Sequence, residues 1–246
     1  MSKVKLRIVQ DFVDFNSNKP EGIYLFVNEK DIFINYALII GPKSTPYFGG
    51  FYFFEIKFPK NYPLRSPQVN LLTINNKIRF NPNLYENGKV CLSILGTWSG
   101  PGWKSVMNLR CVLTSIQSLL NEYPILNEPG FEDIEITNKK SIEYNYYVIY
   151  HNYKLAILDV IDSINSEKEK IPHSKKFKNE IIDELKKNFK ELNDNLKSYM
   201  ITIGIYEHSK FMYFIKNKNI LDFLDLNDKF SNIISEFEKK NELIFI

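Results

Sequence analysis

The feature that most constrains this chain is an abrupt change of pattern along it. Between residues 22 and 74, four short runs rich in Ile, Val, Tyr and Phe are separated only by turn formers, whereas beyond Pro129-Gly130 the strand signals stop. The runs are Gly22 to Asn28, Ile32 to Ile40, Phe51 to Phe58 and Gln68 to Ile74, punctuated by Gly41-Pro42, Gly49-Gly50 and prolines at 59, 63 and 67. Apolar, β-branched and aromatic runs bounded by Gly and Pro read as strands. Connections this short join neighbours antiparallel, so the segment reads as a four-stranded antiparallel meander. Ahead of it, Leu6, Val9, Phe12 and Val13 recur at helical spacing, which predicts an amphipathic helix over residues 3–15 whose other face is basic at Lys3, Lys5 and Arg7.

After the strands, Lys77 to Gly102 has little periodicity and many turn formers: Asn81-Pro82-Asn83, Asn87-Gly88 and Gly100-Pro101-Gly102. Loops this long inside a compact domain are uncommon and often functional. A helix follows, with Leu109, Val112, Leu113, Ile116, Leu119 and Leu120 on one stripe and Asn108 as its cap. From about residue 138 to the end, helical stripes alternate with charged faces. The cleanest is Phe177, Ile181, Leu185, Phe189, Leu192 and Leu196. The reading is an α+β core over residues 1–150 and a helical C-terminal extension over 151–246. That extension is expected either to cap the core by packing or to offer a surface that selects partners.

Composition narrows the function. With 44% apolar and 15% aromatic residues, the 246-residue chain can bury a core and is not a disordered chain. The 32 Lys and Arg stand against 29 Asp and Glu, and a net charge of +3 gives no reason to expect nucleic acid. Charges interspersed through Met1 to Phe15 exclude a signal peptide, and the most apolar late stretch, Met200 to Ile215, is broken by Glu207, His208 and Lys210. No membrane association is expected. The two cysteines, Cys91 and Cys111, form neither a disulfide framework nor a zinc-ligand spacing. A soluble cytoplasmic or nuclear protein without a metal site is the expectation.

Cys91 lies three residues after Asn87-Gly88, between Val90 and Leu92, flanks that would anchor the backbone and leave the thiol at a surface. A hydrolytic cysteine needs a histidine base, yet His151, His173 and His208 all lie in or beside the extension and read as surface or packing residues. A thiol without a base suits an electrophile that arrives already activated. Thioester exchange is such a reaction, nearly balanced in energy and carried by the thiolate fraction; an ordinary Cys pKa of about 8.5 leaves a few per cent as thiolate at neutral pH. Cys111, beside the apolar stripe of its helix, reads as structural.

Gly41-Pro42, Thr45-Pro46-Tyr47-Phe48-Gly49-Gly50, Phe58-Pro59-Lys60-Asn61-Tyr62-Pro63 and Pro67, then Asn81-Pro82-Asn83 and Gly88-Lys89-Val90-Cys91-Leu92-Ser93-Ile94-Leu95 with Trp98 and Trp103, resemble the signature of ubiquitin-conjugating enzymes in the expected order. The resemblance implies that Cys91 accepts ubiquitin, or a ubiquitin-like modifier, from an activating enzyme. The acyl group then passes to a substrate lysine or to a ligase's cysteine. It places Asn83 where the family has an asparagine associated with the tetrahedral oxyanion, a kind of donor whose loss costs about 2.7–4 kcal/mol of barrier. The competing reading is that Asn83 staples the loop. The family usually has His-Pro-Asn where this chain has Asn81-Pro82-Asn83, a departure that bears on loop geometry.

The acceptor lysine near neutral pH needs about 4 kcal/mol to reach its free-amine form. A carboxylate beside it raises its pKa but orients the amine and takes its proton. Asn127-Glu128-Pro129 matches the family's acidic position, making Glu128 the candidate and Asn127 its neighbour. The resemblance also implies an activating-enzyme site at Lys3, Lys5 and Arg7 and a ligase site at Pro63, Leu64 and Pro101. It implies no cofactor on this chain, since the activating enzyme spends the ATP and Mg. Cys91-Leu92-Ser93-Ile94-Leu95-Gly96-Thr97-Trp98 and Asn127-Glu128-Pro129-Gly130-Phe131-Glu132 are similar to the large members with C-terminal helical extensions. Two other readings stand beside it: a non-catalytic adaptor of the same fold, and an unrelated thiol hydrolase with a histidine brought beside Cys91.

Overall fold

Ser2 opens the first helix, α1 (Lys3–Ser17), by accepting the Lys5 amide on its hydroxyl at 3.3 Å. The structure, a computed structural model, describes residues 2–208 and 219–245. Helix α1 buries Ile8, Phe12 and Phe15 together with the carboxylate of Asp11, and leaves Leu6, Val9 and Val13 exposed. This corrects the face read from the sequence. Asp11 can sit inward because it is fully engaged: Arg7 Nε donates to it at 2.8 Å, the Leu109 amide at 3.0 Å, and the Tyr62 hydroxyl also donates.

Strands β1 (Ile23–Phe26), β2 (Ile34–Ile40), β3 (Phe51–Lys57) and β4 (Gln68–Leu71) form one antiparallel sheet in chain order. The register sets Ile39 opposite Ile23, Leu38 opposite Phe53 and Val69 opposite Ile56. Side chains alternate between the faces of such a sheet. Ala37, Ile39, Tyr52, Phe54 and Ile56 join α1 and α2 (Leu109–Gln117) in the inner core. Tyr36, Leu38, Ile40, Phe51 and Phe53 point the other way into a second core built with the extension.

Helix α3 (Lys139–His151) starts at Asn138, whose side chain caps the Lys140 amide at 2.9 Å. It runs through a π-helical segment (Asn152–Leu158) into α4 (Asp159–Asn165), so residue 150 lies within a continuous helical path. Tyr144, Tyr147, Val148, Leu155 and Ala156 serve the inner core, while Tyr150, Tyr153, Ile157 and Ile161 serve the second. Helices α5 (Lys178–Thr202) and α6 (Phe223–Asn241) complete the outer layer. Between them lies a strand pair, β5 (Ile205–His208) and β6 (Asn219–Asp222), with Tyr206 opposite Leu221. Strands there correct the all-helical reading of the extension. Gly204, at φ 62, ends α5 in the left-handed conformation that favours glycine. Positions 209–215 of the apolar stretch from Met200 to Ile215 lie outside the described residues; no helix among those described is long and apolar enough to cross a membrane.

Candidate active site

The loop around Cys91 is built from backbone bonds before any side chain enters. The Cys91 amide donates to the Asn83 carbonyl and the Asn83 Nδ2 donates back to the Cys91 carbonyl, both at 2.8 Å. Asn83 is therefore a staple in this state, with its amide turned to the backbone. Asn81 supports it from beneath. Fully buried, its Oδ1 accepts the Asn83 amide at 2.9 Å, and its Nδ2 donates to the Leu119 carbonyl at 2.8 Å and the Tyr47 hydroxyl at 3.0 Å. The departure from histidine at this position thus leaves the loop held on every side. Burial raises the Tyr47 phenol well beyond its ordinary pKa, against the opposing pull of Asn81, so it stays a neutral hydroxyl.

Asn127 joins the same cluster. It ends a 3-10 turn (Pro124–Asn127), and its Nδ2 reaches Asn81 Oδ1 at 3.4 Å and the Leu119 carbonyl at 3.3 Å, while its Oδ1 accepts from Asn121 at 3.2 Å. The amides of Asn127, Asn81 and Asn83 form a bonded series ending at the Cys91 carbonyl. Glu128, next in the chain, is only 6% exposed.

Cys91 itself is 1% exposed. The expectation of a surface thiol is corrected: in this state the loop covers it. Cys111 departs in the opposite sense, standing exposed in the first turn of α2, where its amide bonds the Asn108 cap at 3.0 Å. The two histidines with described side chains are committed elsewhere. His151 packs edge-on against Tyr147 and Tyr150, and His173 stacks on Tyr36 with ring centres 3.8 Å apart. Among the described side chains no histidine hydrogen bonds the Cys91 sulfur, so neither His151 nor His173 supplies the base that the thiol-hydrolase reading needs.

The expected partner residues separate. Trp103 Nε1 donates to the Pro63 carbonyl at 2.7 Å and its ring lies against Tyr62, tying the Pro63-Leu64 loop to the loop that holds Pro101. Leu64 is 75% exposed there, and the neighbouring loop adds Val106 at 87%, which the sequence reading missed. Lys3 and Lys5 are exposed on α1, but Arg7 is turned inward. Its guanidinium bonds Asp11, the Ser105 carbonyl at 2.8 Å and the Met107 carbonyl at 2.5 Å, so its first role is to anchor α1.

A family model described as ubiquitin-conjugating enzyme matches residues 7–151. The chain is similar to ubiquitin-conjugating enzyme E2 Z of Xenopus tropicalis, 44% identical over 158 residues that cover 64% of this chain and 50% of that protein. E2 Z of Homo sapiens is likewise 44% identical over 158 residues, covering 64% of this chain and 44% of its own. The dual E2 ubiquitin-conjugating enzyme/E3 ubiquitin-protein ligase BIRC6 of Homo sapiens is 38% identical over 168 residues, 63% of this chain and 4% of that protein. The chain spans about half the length of the curated E2 Z relatives it matches.

Proposed function

The chain belongs to the ubiquitin-conjugating enzyme family, and from that premise we propose that it carries ubiquitin, or a close relative of it, as a thioester on Cys91. The observation that carries this reading is the loop itself: a cysteine with no histidine partner among the described side chains, held through its own amide and carbonyl by Asn83. Such a thiol is fitted for exchange with a pre-activated acyl group. In the loading step the Cys91 thiolate attacks the thioester carbonyl on an activating enzyme; the new sulfur–carbon bond forms as the activating enzyme's thiolate leaves. In the transfer step a lysine amine, or a ligase thiolate, attacks the Cys91 thioester. The Cys91 thiolate departs, and an attacking amine gives up its proton to a base.

Glu128 is the proposed carboxylate on the acceptor side. Burial around Glu128 would partly desolvate an arriving amine and lower its pKa, against the opposing pull of the carboxylate, which orients the amine and takes its proton. Asn83 either releases the Cys91 carbonyl to serve the oxyanion or continues to hold the loop. Cys91 is covered in this state, and the resting thiol is sheltered from oxidation. The activating enzyme would dock at Lys3 and Lys5 on α1, and ligases on Pro63, Leu64 and Pro101, with Val106 at the rim. The chain would need no cofactor of its own. A reducing cytoplasm or nucleus is the fitting compartment for a thiol carrier. The adaptor reading is not favoured, because it gives the held cysteine nothing to do.

The test is charging. The protein is mixed with ubiquitin, Mg-ATP and each of several activating enzymes, then resolved with and without reductant. A reductant-sensitive band larger by one ubiquitin, kept in Cys111→Ser and lost in Cys91→Ala, is the expected result. Its absence with ubiquitin and with every ubiquitin-like pair would return the adaptor reading.

A further inference from the structure

We propose that Thr97 is a positioning residue for the chemistry at Cys91, its hydroxyl clamping the backbone on both sides of the thiol-bearing residue; this deepens, and rests on, the reading of Cys91 as the carrier. The Thr97 hydroxyl accepts the Leu92 amide at 2.9 Å and donates to the Val90 carbonyl at 2.6 Å. The Thr97 amide in turn reaches the Leu92 carbonyl at 3.2 Å. Residues 90 and 92 are thus tied to one side chain, and Cys91 between them is tied to Asn83. Threonine suits this position because its hydroxyl offers one donor and two acceptor sites, and its branched Cβ restricts rotation.

The chain is bent to bring Thr97 there. A 3-10 turn (Ser93–Leu95) follows the cysteine, with the Leu95 amide on the Leu92 carbonyl at 3.1 Å. Gly96, at φ 67, then reverses the direction at an angle side-chain-bearing residues rarely adopt. The result is a closed ring from Val90 to Thr97.

The ring has a chemical consequence. The backbone N–H groups of Cys91 and of the residue after it are both consumed, that of Cys91 by the Asn83 carbonyl and that of Leu92 by the Thr97 hydroxyl. Neither is left to stabilise an oxyanion at the acyl carbon. Thr97 therefore both fixes the thiol's position and keeps the Leu92 amide out of the reaction.

The experiment uses the full chain with Cys111→Ser, leaving Cys91 as the one thiol, and compares Thr97→Val with Thr97→Ser. Discharge of the Cys91 thioester to free lysine is followed across lysine concentrations, alongside hydrogen exchange of the Leu92 amide. Thr97→Val should lower the limiting discharge rate about tenfold with KM for lysine little changed, and speed Leu92 exchange about tenfold, the scale of one hydrogen bond. Thr97→Ser, which keeps the hydroxyl, should restore both. Wild-type discharge in Thr97→Val, or equal damage in Thr97→Ser, overturns the proposal. So does an unprotected Leu92 amide in the unsubstituted protein, a result that holds even if Thr97→Val fails to fold. If Cys91 never charges, the carrier reading fails, while Leu92 exchange and the alkylation rate of Cys91 still decide the clamp.

Discussion

The side-chain amide of Asn81 offers two donors and an acceptor oxygen, and each has a partner: Leu119, Tyr47, and on the oxygen both Asn83 and Asn127. Removing it strands buried groups, at a cost of about 1–3 kcal/mol for each polar atom left unsatisfied. Asn81→Ala should therefore destabilise the protein by about 2–4 kcal/mol in urea unfolding and slow charging of Cys91. A neutral imidazole has one donor and one acceptor, so Asn81→His should keep roughly half the bonds and recover about half of the loss. An alanine variant as stable as the parent would show that the amide holds nothing. The sequence made the Asn81-Pro82-Asn83 motif legible, and with it the importance of the loop. It did not reveal that Cys91 is covered, because burial is set by how the folded loop packs and not by the residues beside it in the chain. Cys111 could have been placed correctly: at about 100° per residue it falls across the helix from Leu109, away from the buried Val112, Leu113 and Ile116.

At the scale of elements, the strands and α2 were readable because their apolar residues carry the pattern unaided. Helix α1 misled for a physical reason. Its buried face includes Asp11, and a carboxylate belongs there only because Arg7, Tyr62 and Leu109 all bond it across the chain. The runs of β2 and β3 held a further message. An antiparallel sheet with one wet face alternates apolar and polar residues, whereas Ala37 to Ile40 and Phe51 to Phe54 are apolar without a break. Both faces must therefore be covered, and the extension is the cover. The turn between those strands is shaped for it: a Cβ on Gly50 would lie 1.9 Å from Asn152 Oδ1, and one on Gly49 would lie 2.7 Å from Leu192. Asn152 is buried, accepting from the Tyr52 hydroxyl at 2.6 Å and donating to the Phe48 carbonyl at 3.0 Å. Gly50→Ala should displace it and cost about 2–4 kcal/mol through the two broken buried bonds, read as a lowered Tm. An unchanged Tm would mean that the extension does not depend on this contact.

For the whole molecule, the question is whether the extension is a separable module. The sheet's outer face presents Tyr36, Leu38, Ile40, Phe51 and Phe53 to helices beyond residue 150. Burial of such a side chain contributes about 1.5–3 kcal/mol, so uncovering five of them forfeits on the order of 10 kcal/mol. A whole domain is stable by only about 5–15 kcal/mol. The cut would also fall inside a continuous helical path, removing Leu155 and Ala156 from the inner core. A chain ending at residue 150 should therefore be insoluble or bind a hydrophobic dye strongly. Polar replacements at Leu38, Phe51 and Phe53 in that short chain should recover part of its solubility, because they act on the exposed face alone. If the short chain instead stays soluble with its Tm intact, packing is not what the extension supplies. Loss of charging by one activating enzyme but not another would then identify it as a surface that selects partners.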